Sequence, residues 1–290
     1  MTQHIASSTT KGKTVFDVGM HIGQDTAFYL ACGYRVIAVE ANPVLVKAAQ
    51  DRFHSEIDAG QLVIVPCCIS NTSNEDTPFW INSVDSALSS FDRDATARMG
   101  HPVQSINVRS STLAELLEEY GTPYYVKIDI EGADRFCLAD LSTKHLPQFV
   151  SVELTDLAFL PRLHSLGYTK FKLIEQRTLT PLTERITWDS YFLNLMCKDL
   201  ERKDFGLRVR RRIARWLLPL ATAYEANFVD RPVSQCVPDW VFTEGSSGPF
   251  GDDAAGSWAT WEETTYLWSK HVIHTKKRKA ELWCDLHATF

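Results

Sequence analysis

A short apolar run, Thr14–Phe16, leads into Asp17-Val18-Gly19-Met20-His21-Ile22-Gly23, a helix-like stretch over Gln24–Cys32, and Arg35-Val36-Ile37-Ala38-Val39-Glu40. Strand, glycine turn, helix and a strand ending in an acid form the first half of a nucleotide-binding α/β unit. The glycine spacing is wrong for a dinucleotide. In the G-x-G-x-x-G fingerprint the middle glycine lets a pyrophosphate approach the backbone. Here the turn reads Asp-x-Gly-x-x-x-Gly, with an acid in the first glycine's place.

That acid suits a ligand with a cationic amino-acid end and a ribose, which is the description of S-adenosylmethionine. Glu40, at the end of the second strand, is placed to accept hydrogen bonds from both ribose hydroxyls. Asp17 and Gly19 are expected on the methionine and ribose side, with Met20 in the same turn. Gly23 permits close helix packing, and Thr26 sits in the first helical turn. His21 either touches the cofactor or faces solvent. Asn42-Pro43 is expected near the adenine, with Ala41 beside it among the cofactor-binding residues and Cys68 and Ile69 as an apolar adenine wall.

The rest of the first 180 residues continues the alternation. Pro43 opens a helix to about Ile57, Leu62–Ile69 reads as an apolar third strand, and 70–100 reads as functional loop apart from a short strand over Thr77–Asn82. Gln104–Arg109 reads as a strand. A helix over Leu113–Tyr120 is capped by Thr112, with Glu115 in the capping-box position. Strands follow at Tyr124–Ile130, Gln148–Leu154 and Tyr168–Glu175, with helices to Leu141 and over Leu157–Leu166. Repeated β-α-β units imply an α/β fold with a doubly wound, mostly parallel, Rossmann-like sheet.

The second constellation is Tyr124-Tyr-Val-Lys127-Ile-Asp129-Ile-Glu131-Gly132. Strand alternation puts Lys127, Asp129 and Glu131 on one side, and burying three ionisable groups is costly unless they pair or work. Either Lys127 and Asp129 tie the sheet together, or the group belongs to an active site that Glu153 completes. In the second case one carboxylate is a general base and another orients the substrate. Such a cluster also offers hard oxygen ligands to Mg²⁺, but nothing in the spacing establishes a metal.

Phe16–Thr26 (FDVGMHIGQDT), Val36–Pro43 (VIAVEANP), Val126–Gly132 (VKIDIEG) and Val152–Leu154 (VEL) resemble the FkbM-type family of S-adenosylmethionine-dependent methyltransferases. The resemblance covers roughly residues 14–176, while Gly245–Asp252 and Trp283–Ala288 are similar to a longer subgroup. It implies a class I methyltransferase sheet with a C-terminal extension, and O-methylation of a hydroxyl on a small molecule, sugar or natural product. By resemblance Asp17, Gly19, Gly23 and Glu40 bind the cofactor, and Asp129 and Glu131 face the methyl-transfer centre. Family members usually carry Asn where this chain has His21. Two rivals stand beside that reading: a nicotinamide-dependent oxidoreductase, and a binding module that kept the cofactor fold without activity.

The expected organisation is a disordered tail over 1–13, a methyltransferase domain over 14–200, and a helical and loop extension over 201–290 packing on or covering the site. Phe205–Leu218 is amphipathic with an arginine face, which is a solvated face, a clamp on an anionic or carbohydrate substrate, or a membrane-surface helix. The glycine-rich Gly245–Asp252 is either a closing loop or a plain connector, and the tryptophans of the C-terminal part stack on sugar rings or pack in the core. A net charge of −6 argues against a nucleic-acid partner. No stretch approaches the ~20 apolar residues of a membrane span, so no stable membrane association is expected. The seven cysteines are scattered without C-x-x-C pairs, which favours free thiols in a soluble cytoplasmic protein.

Overall fold

The computed structural model describes residues 12–97, 100–182, 234, 236–243, 245–278 and 283–290. The amphipathic 205–218 segment and Cys197 lie outside the described residues. The first half runs β1 (Thr14–Val18), α1 (Gln24–Ala31), β2 (Arg35–Val39), α2 (Pro43–Arg52), α3 (His54–Asp58), β3 (Leu62–Val65), β4 (Cys68–Ile69), β5 (Asp76–Asn82), α4 (Arg93–Thr96), β6 (Val103–Ser111) and α5 (Leu113–Tyr120). It continues with β7 (Tyr125–Ile128), α6 (Asp134–Asp140), β8 (Phe149–Glu153), α7 (Phe159–Ser165), β9 (Lys170–Glu175), β10 (Thr180–Pro181), α8 (Trp261–Arg278) and β11 (Cys284–Thr289).

The main sheet has the order β10-β9-β11-β8-β7-β1-β2-β3. Strands β3, β2, β1, β7 and β8 are mutually parallel, as the β-α-β reading requires. β11 runs antiparallel to both neighbours, β8 and β9. The expected helical and loop extension over 201–290 is therefore corrected at its end: residues 284–289 are an interior strand of the sheet. The sequence hides this because Cys284, Leu286 and Ala288 face the apolar core while Asp285, His287 and Thr289 alternate with them. A variant lacking residues 283–290 would leave β8 and β9 as open edges. It is expected to lose its cooperative thermal transition; a melting point within about 4 °C of the full chain, worth ~1 kcal/mol, would refute this.

Three further boundaries differ from expectation. The single strand expected over 62–69 is divided at Pro66, which has no N–H for a ladder; β3 stays in the main sheet and β4 joins β6 and β5 in a three-stranded sheet. Gln104–Arg109, within β6, also belongs to that second sheet, antiparallel to β5. The helix expected from Pro43 to Ile57 breaks at Phe53 (φ −108°, ψ 25°). Asn42 caps α2 by accepting the Val44 N–H at 3.0 Å, with Pro43 as the first helical residue.

The two faces of the main sheet differ. One is apolar, packing Phe16, Ile37, Val126, Val150, Leu173 and Leu286 against α5, α6 and α7. The other carries a buried polar row set by register: Asp17 beside Lys127, Lys127 beside Ser151, Ser151 beside His287, His287 beside Lys172. Residues 245–254 cover this row. Phe250 stacks on Tyr125 at 3.8 Å, Lys172 Nζ donates to the Gly251 and Ala254 carbonyls at 3.1 and 2.7 Å, and Ser246 and Ser247 bond to Asp25. The glycine-rich segment is thus a buried element of the fold, with Ser246 to Gly251 all buried, and Gly245 at its start lines the cavity at the carboxyl ends of the parallel strands.

Candidate active site

A cavity of 1070 Å³ opens along the carboxyl ends of the parallel strands, the place where open α/β sheets hold ligands. Each parallel strand delivers one group to it: Gly19 after β1, Glu40 after β2, Cys67 after β3, Asp129 after β7 and Glu153 at the end of β8.

The glycine turn is held by Gly19 and Met20 N–H donating to the Val39 carbonyl at 3.1 and 3.0 Å. Gly19 has φ +91°, and a Cβ there would lie 1.9 Å from the Asp129 carbonyl oxygen. Only glycine lets β1 and β7 release their chains this close together. Gly23 has φ +76° and faces the Phe53 ring, which a Cβ would approach to 2.8 Å. That ring contact is the close packing expected of Gly23.

Glu40 is buried and lines the cavity. One carboxylate oxygen accepts the His21 N–H and the other the Asn42 N–H, both at 2.8 Å. Burial pushes its carboxyl up to about 7, against the backbone donors of Asn42, His21 and Ala41. His21 (φ 53°) points its imidazole Nε2 to the Ser86 hydroxyl at 2.8 Å. It is half-buried, and burial followed by the Lys127 charge lowers its pKa.

Lys127 is the centre of the site's electrostatics. Its ammonium lies 3.3 Å from Asp17, 3.4 Å from Asp25 and 3.5 Å from Asp129, and donates to the Gly19 carbonyl at 3.2 Å. Burial works against that charge, yet Asp17, Asp129 and Asp25 together hold its pKa well above the usual lysine value. An ammonium so enclosed holds neighbours in place and does not exchange protons near neutrality. Both readings of the lysine meet here: it pairs with Asp129 and it sits in the site. The Asp129 side chain is 37% exposed against 0% for Asp17 and 3% for Asp25, so of the two partners that line the cavity, Asp25 and Asp129, Asp129 is the more open to it.

Simple alternation does not place Glu131. The strand ends at Ile128, and Glu131 occupies a left-handed turn with φ 47°. Asp134, fully buried at the start of α6, secures that turn by accepting the Ile130 and Gly132 N–H groups at 3.1 and 3.0 Å. The Glu131 carbonyl accepts the Ser90 hydroxyl at 2.7 Å. The segment between β5 and α4 therefore bridges both motif turns, through Ser86 to His21 and Ser90 to Glu131. Non-glycine residues with positive φ cost of order 1–3 kcal/mol and persist where surrounding contacts hold them.

Of the expected site residues, Gly19, Met20, His21, Glu40, Ala41, Cys68, Ile69, Lys127, Asp129, Glu131 and Glu153 all line the one cavity. Asp17, Gly23, Thr26 and Asn42 do not. Asp17 is fully buried and holds Thr26 Oγ1 at 2.6 Å, so these two brace the turn from behind. Asn42 acts through its backbone N–H on Glu40 and as the cap of α2.

Sequence reasoning missed Asp25, Asp134 and the polar side of the 82–91 segment. Asp25 was legible only as an acid in a helix's first turn; its partners Ser246 and Ser247 come from more than two hundred residues away. No group of three or more His, Cys, Asp or Glu among the described residues forms a metal site. No described helix is long and apolar enough to cross a membrane.

A crystal structure of a methyltransferase FkbM from Methylobacillus flagellatus KT is 17% identical with a TM-score of 0.38, over 54% of this chain and 38% of that one. The chain thus spans well under two thirds of that relative's length. Phosphoethanolamine N-methyltransferase 2 of Haemonchus contortus, solved in complex with S-adenosyl-L-methionine, is 11% identical with a TM-score of 0.38, covering 98% of this chain and 50% of that one. Precorrin-6y C5,15-methyltransferase of Geobacter metallireducens GS-15 is 12% identical with a TM-score of 0.33, covering 58% and 71%. No curated protein sequence matches. The family profile of the methyltransferase FkbM domain matches residues 17–169, more than half of the chain and the span that carries every group at the floor of the cavity. On that match, with its class I α/β sheet, the protein belongs to the FkbM methyltransferase family.

Proposed function

We propose that the protein transfers a methyl group from S-adenosylmethionine to a hydroxyl oxygen of a small molecule, sugar or natural product. The observation that carries this reading is the buried Glu40 carboxylate at the cavity wall beside the Gly19 turn. Gly19 lets the turn pass against the Asp129 carbonyl with no side chain between them, and Glu40 offers a carboxylate to two ribose hydroxyls. The Asp129 carboxylate at the cavity wall offers an anion to a cationic amino-acid end. The residues present therefore fit the donor.

When bound, the donor supplies an electrophilic sulfonium methyl group. The protein's task is to hold the acceptor oxygen in line with that methyl and to exclude water. The hydroxyl oxygen bonds to the methyl carbon as the carbon–sulfur bond breaks, its electrons remaining on sulfur. The hydroxyl proton passes to a carboxylate. Asp129 and Glu131 line the cavity at the end of β7 and are the candidates for that base, worth roughly 10²–10⁴ in rate. Lys127 fixes Asp129 and the Gly19 carbonyl.

Thermal denaturation with added ligand tests the reading. S-adenosylhomocysteine at about 100 times its dissociation constant is expected to add ~2.7 kcal/mol of stability; stabilisation by NAD but not by S-adenosylhomocysteine would sink the methyltransferase reading. The affinity also has a sign in pH. Ribose hydroxyls donate to the ionised Glu40, whose free carboxyl titrates near 7. Binding should therefore tighten as pH rises through 7, and weaken by up to about tenfold per unit below it. Calorimetric affinities that stay flat between pH 6 and 8 would remove Glu40 from the ribose.

A further inference from the structure

The cavity is longer than the donor needs. Its 1070 Å³ stands at the top of the roughly 300–1,000 Å³ typical of single-ligand sites. Glu40 follows β2, and β11 lies four strand steps away in the order β2-β1-β7-β8-β11, about 19 Å at ~4.8 Å per step. The wall at that far end is made by Trp283 just before β11, Arg177 just after β9, and Trp268 on α8.

Backbone pairing holds this wall. The Gln176 N–H donates to the Trp283 carbonyl at 3.0 Å, and the Leu154 N–H to the Cys284 carbonyl at 2.9 Å. The Arg177 guanidinium lies over the Trp283 ring at 5.6 Å, and its Nη1 is 3.3 Å from Glu175. Glu175 thus meets the arginine's charge. Between this wall and the donor end stand Asp129, Glu131 and Glu153. Burial, then the charges of Asp129 and Glu131, push the Glu153 carboxyl up to about 9. At neutral pH it both donates and accepts hydrogen bonds, which suits a hydroxyl partner.

An anionic acceptor would meet these carboxylates with Arg177, the arginine among the described residues at this wall, already paired to Glu175. A wholly apolar acceptor would desolvate them with nothing in return. A ring carrying several hydroxyls satisfies both walls, donating to carboxylates on one side and laying its C–H face on an indole on the other. Building on the methyl-transfer reading above, we infer that the β8–β11–β9 end of the cavity is the acceptor subsite. Its occupant is an uncharged polyhydroxylated ring, a glycoside, stacked on Trp283 and Trp268 and hydrogen-bonded to Glu153.

Saturation-transfer NMR on the full chain loaded with S-adenosylhomocysteine tests this. The probes are the methyl glycosides of glucose, galactose and rhamnose, with glucuronate and catechol as the competing classes. Transfer is expected to at least one neutral glycoside and to neither competitor. Trp283→Ala should weaken glycoside affinity about tenfold or more while S-adenosylhomocysteine affinity stays within about twofold, and Trp283→Phe should restore binding. Should Trp283→Ala fail to fold, Trp268→Ala carries the same expectation. Transfer to none of the three glycosides, stronger transfer to glucuronate or catechol, or glycoside binding unchanged in the folded tryptophan variants would each overturn the inference. Normal S-adenosylhomocysteine binding without glycoside transfer overturns this subsite alone. Failure of S-adenosylhomocysteine to bind the native chain overturns the methyltransferase reading itself.

Discussion

Replacing Lys127 with methionine is expected to cost about 3–5 kcal/mol of stability, the usual penalty for removing one partner of a buried ion pair. Three carboxylates share this ammonium, and two of them, Asp17 and Asp25, are almost wholly buried. Without it they face one another in a poorly solvated space, and the Gly19 carbonyl loses its donor. The pH dependence follows from the charges. In the native chain the raised lysine pKa contributes stability throughout neutral pH, lost only as pH climbs above the ordinary lysine value. In Lys127→Met the penalty should shrink as pH falls and the carboxylates take up protons. Urea denaturation at pH 7.5 and 5 measures both, and a loss below about 1 kcal/mol at pH 7.5 would show that the triad does not depend on its cation.

Gly19→Ala is expected to be as damaging, through geometry instead of charge. The added methyl would lie 1.9 Å from the Asp129 carbonyl oxygen and 3.0 Å from Ile130 Cγ2, on a backbone with φ +91°. The nearer neighbour is a backbone oxygen, which cannot swing aside as a side-chain end can. Relief requires moving the end of β7, and with it Asp129 and the Glu131 turn. A loss above about 4 kcal/mol, or no folded protein, is the expected result. Gly60→Ala is the control: it shares a positive φ of +71° with nothing within 4 Å, so it reports backbone strain alone, about 1–2 kcal/mol. Equal losses in the two variants would show that the approach of the two strand ends is not what requires the glycine.

What the sequence made legible was what local pattern carries. The Asp17–Gly23 turn, Glu40 and the 124–132 stretch each combine a strand end with its own next few residues, and the structure brings all three to one cavity. Strand register, which the sequence does not show, puts Lys127 beside Asp17 in the adjacent parallel strand. The groups that escaped are those whose meaning comes from a distant partner. Asp25 needs Ser246, and Ser86 and Ser90 need left-handed residues on two other loops; Asp134 is the local exception, bonding the Ile130 and Gly132 N–H groups of a turn that strand alternation does not anticipate. β11 escaped for a different reason. Its apolar positions are Cys284, Leu286 and Ala288, a weak stripe on a strand whose other side belongs to a polar row, so hydrophobicity alone could not announce an interior strand.

The place of β11 also constrains how the chain reaches its native state. β1–β2, β2–β3, β7–β8 and β9–β10 pair near neighbours in sequence, whereas β1 meets β7 from far along the chain, Val15 beside Tyr125. β8 and β9 cannot close against each other until residues 284–289 arrive, and the Gln148–Thr289 bond spans 141 positions. Pairing over so long a separation requires loop-closure entropy to be met before any reward, which slows folding. Until then the molecule holds two unsatisfied strand edges, the feature that invites aggregation and exchange of strands between copies. The strand whose start adjoins Trp283 at the proposed acceptor end is thus also the one whose late arrival sets the window of greatest vulnerability for the newly made protein.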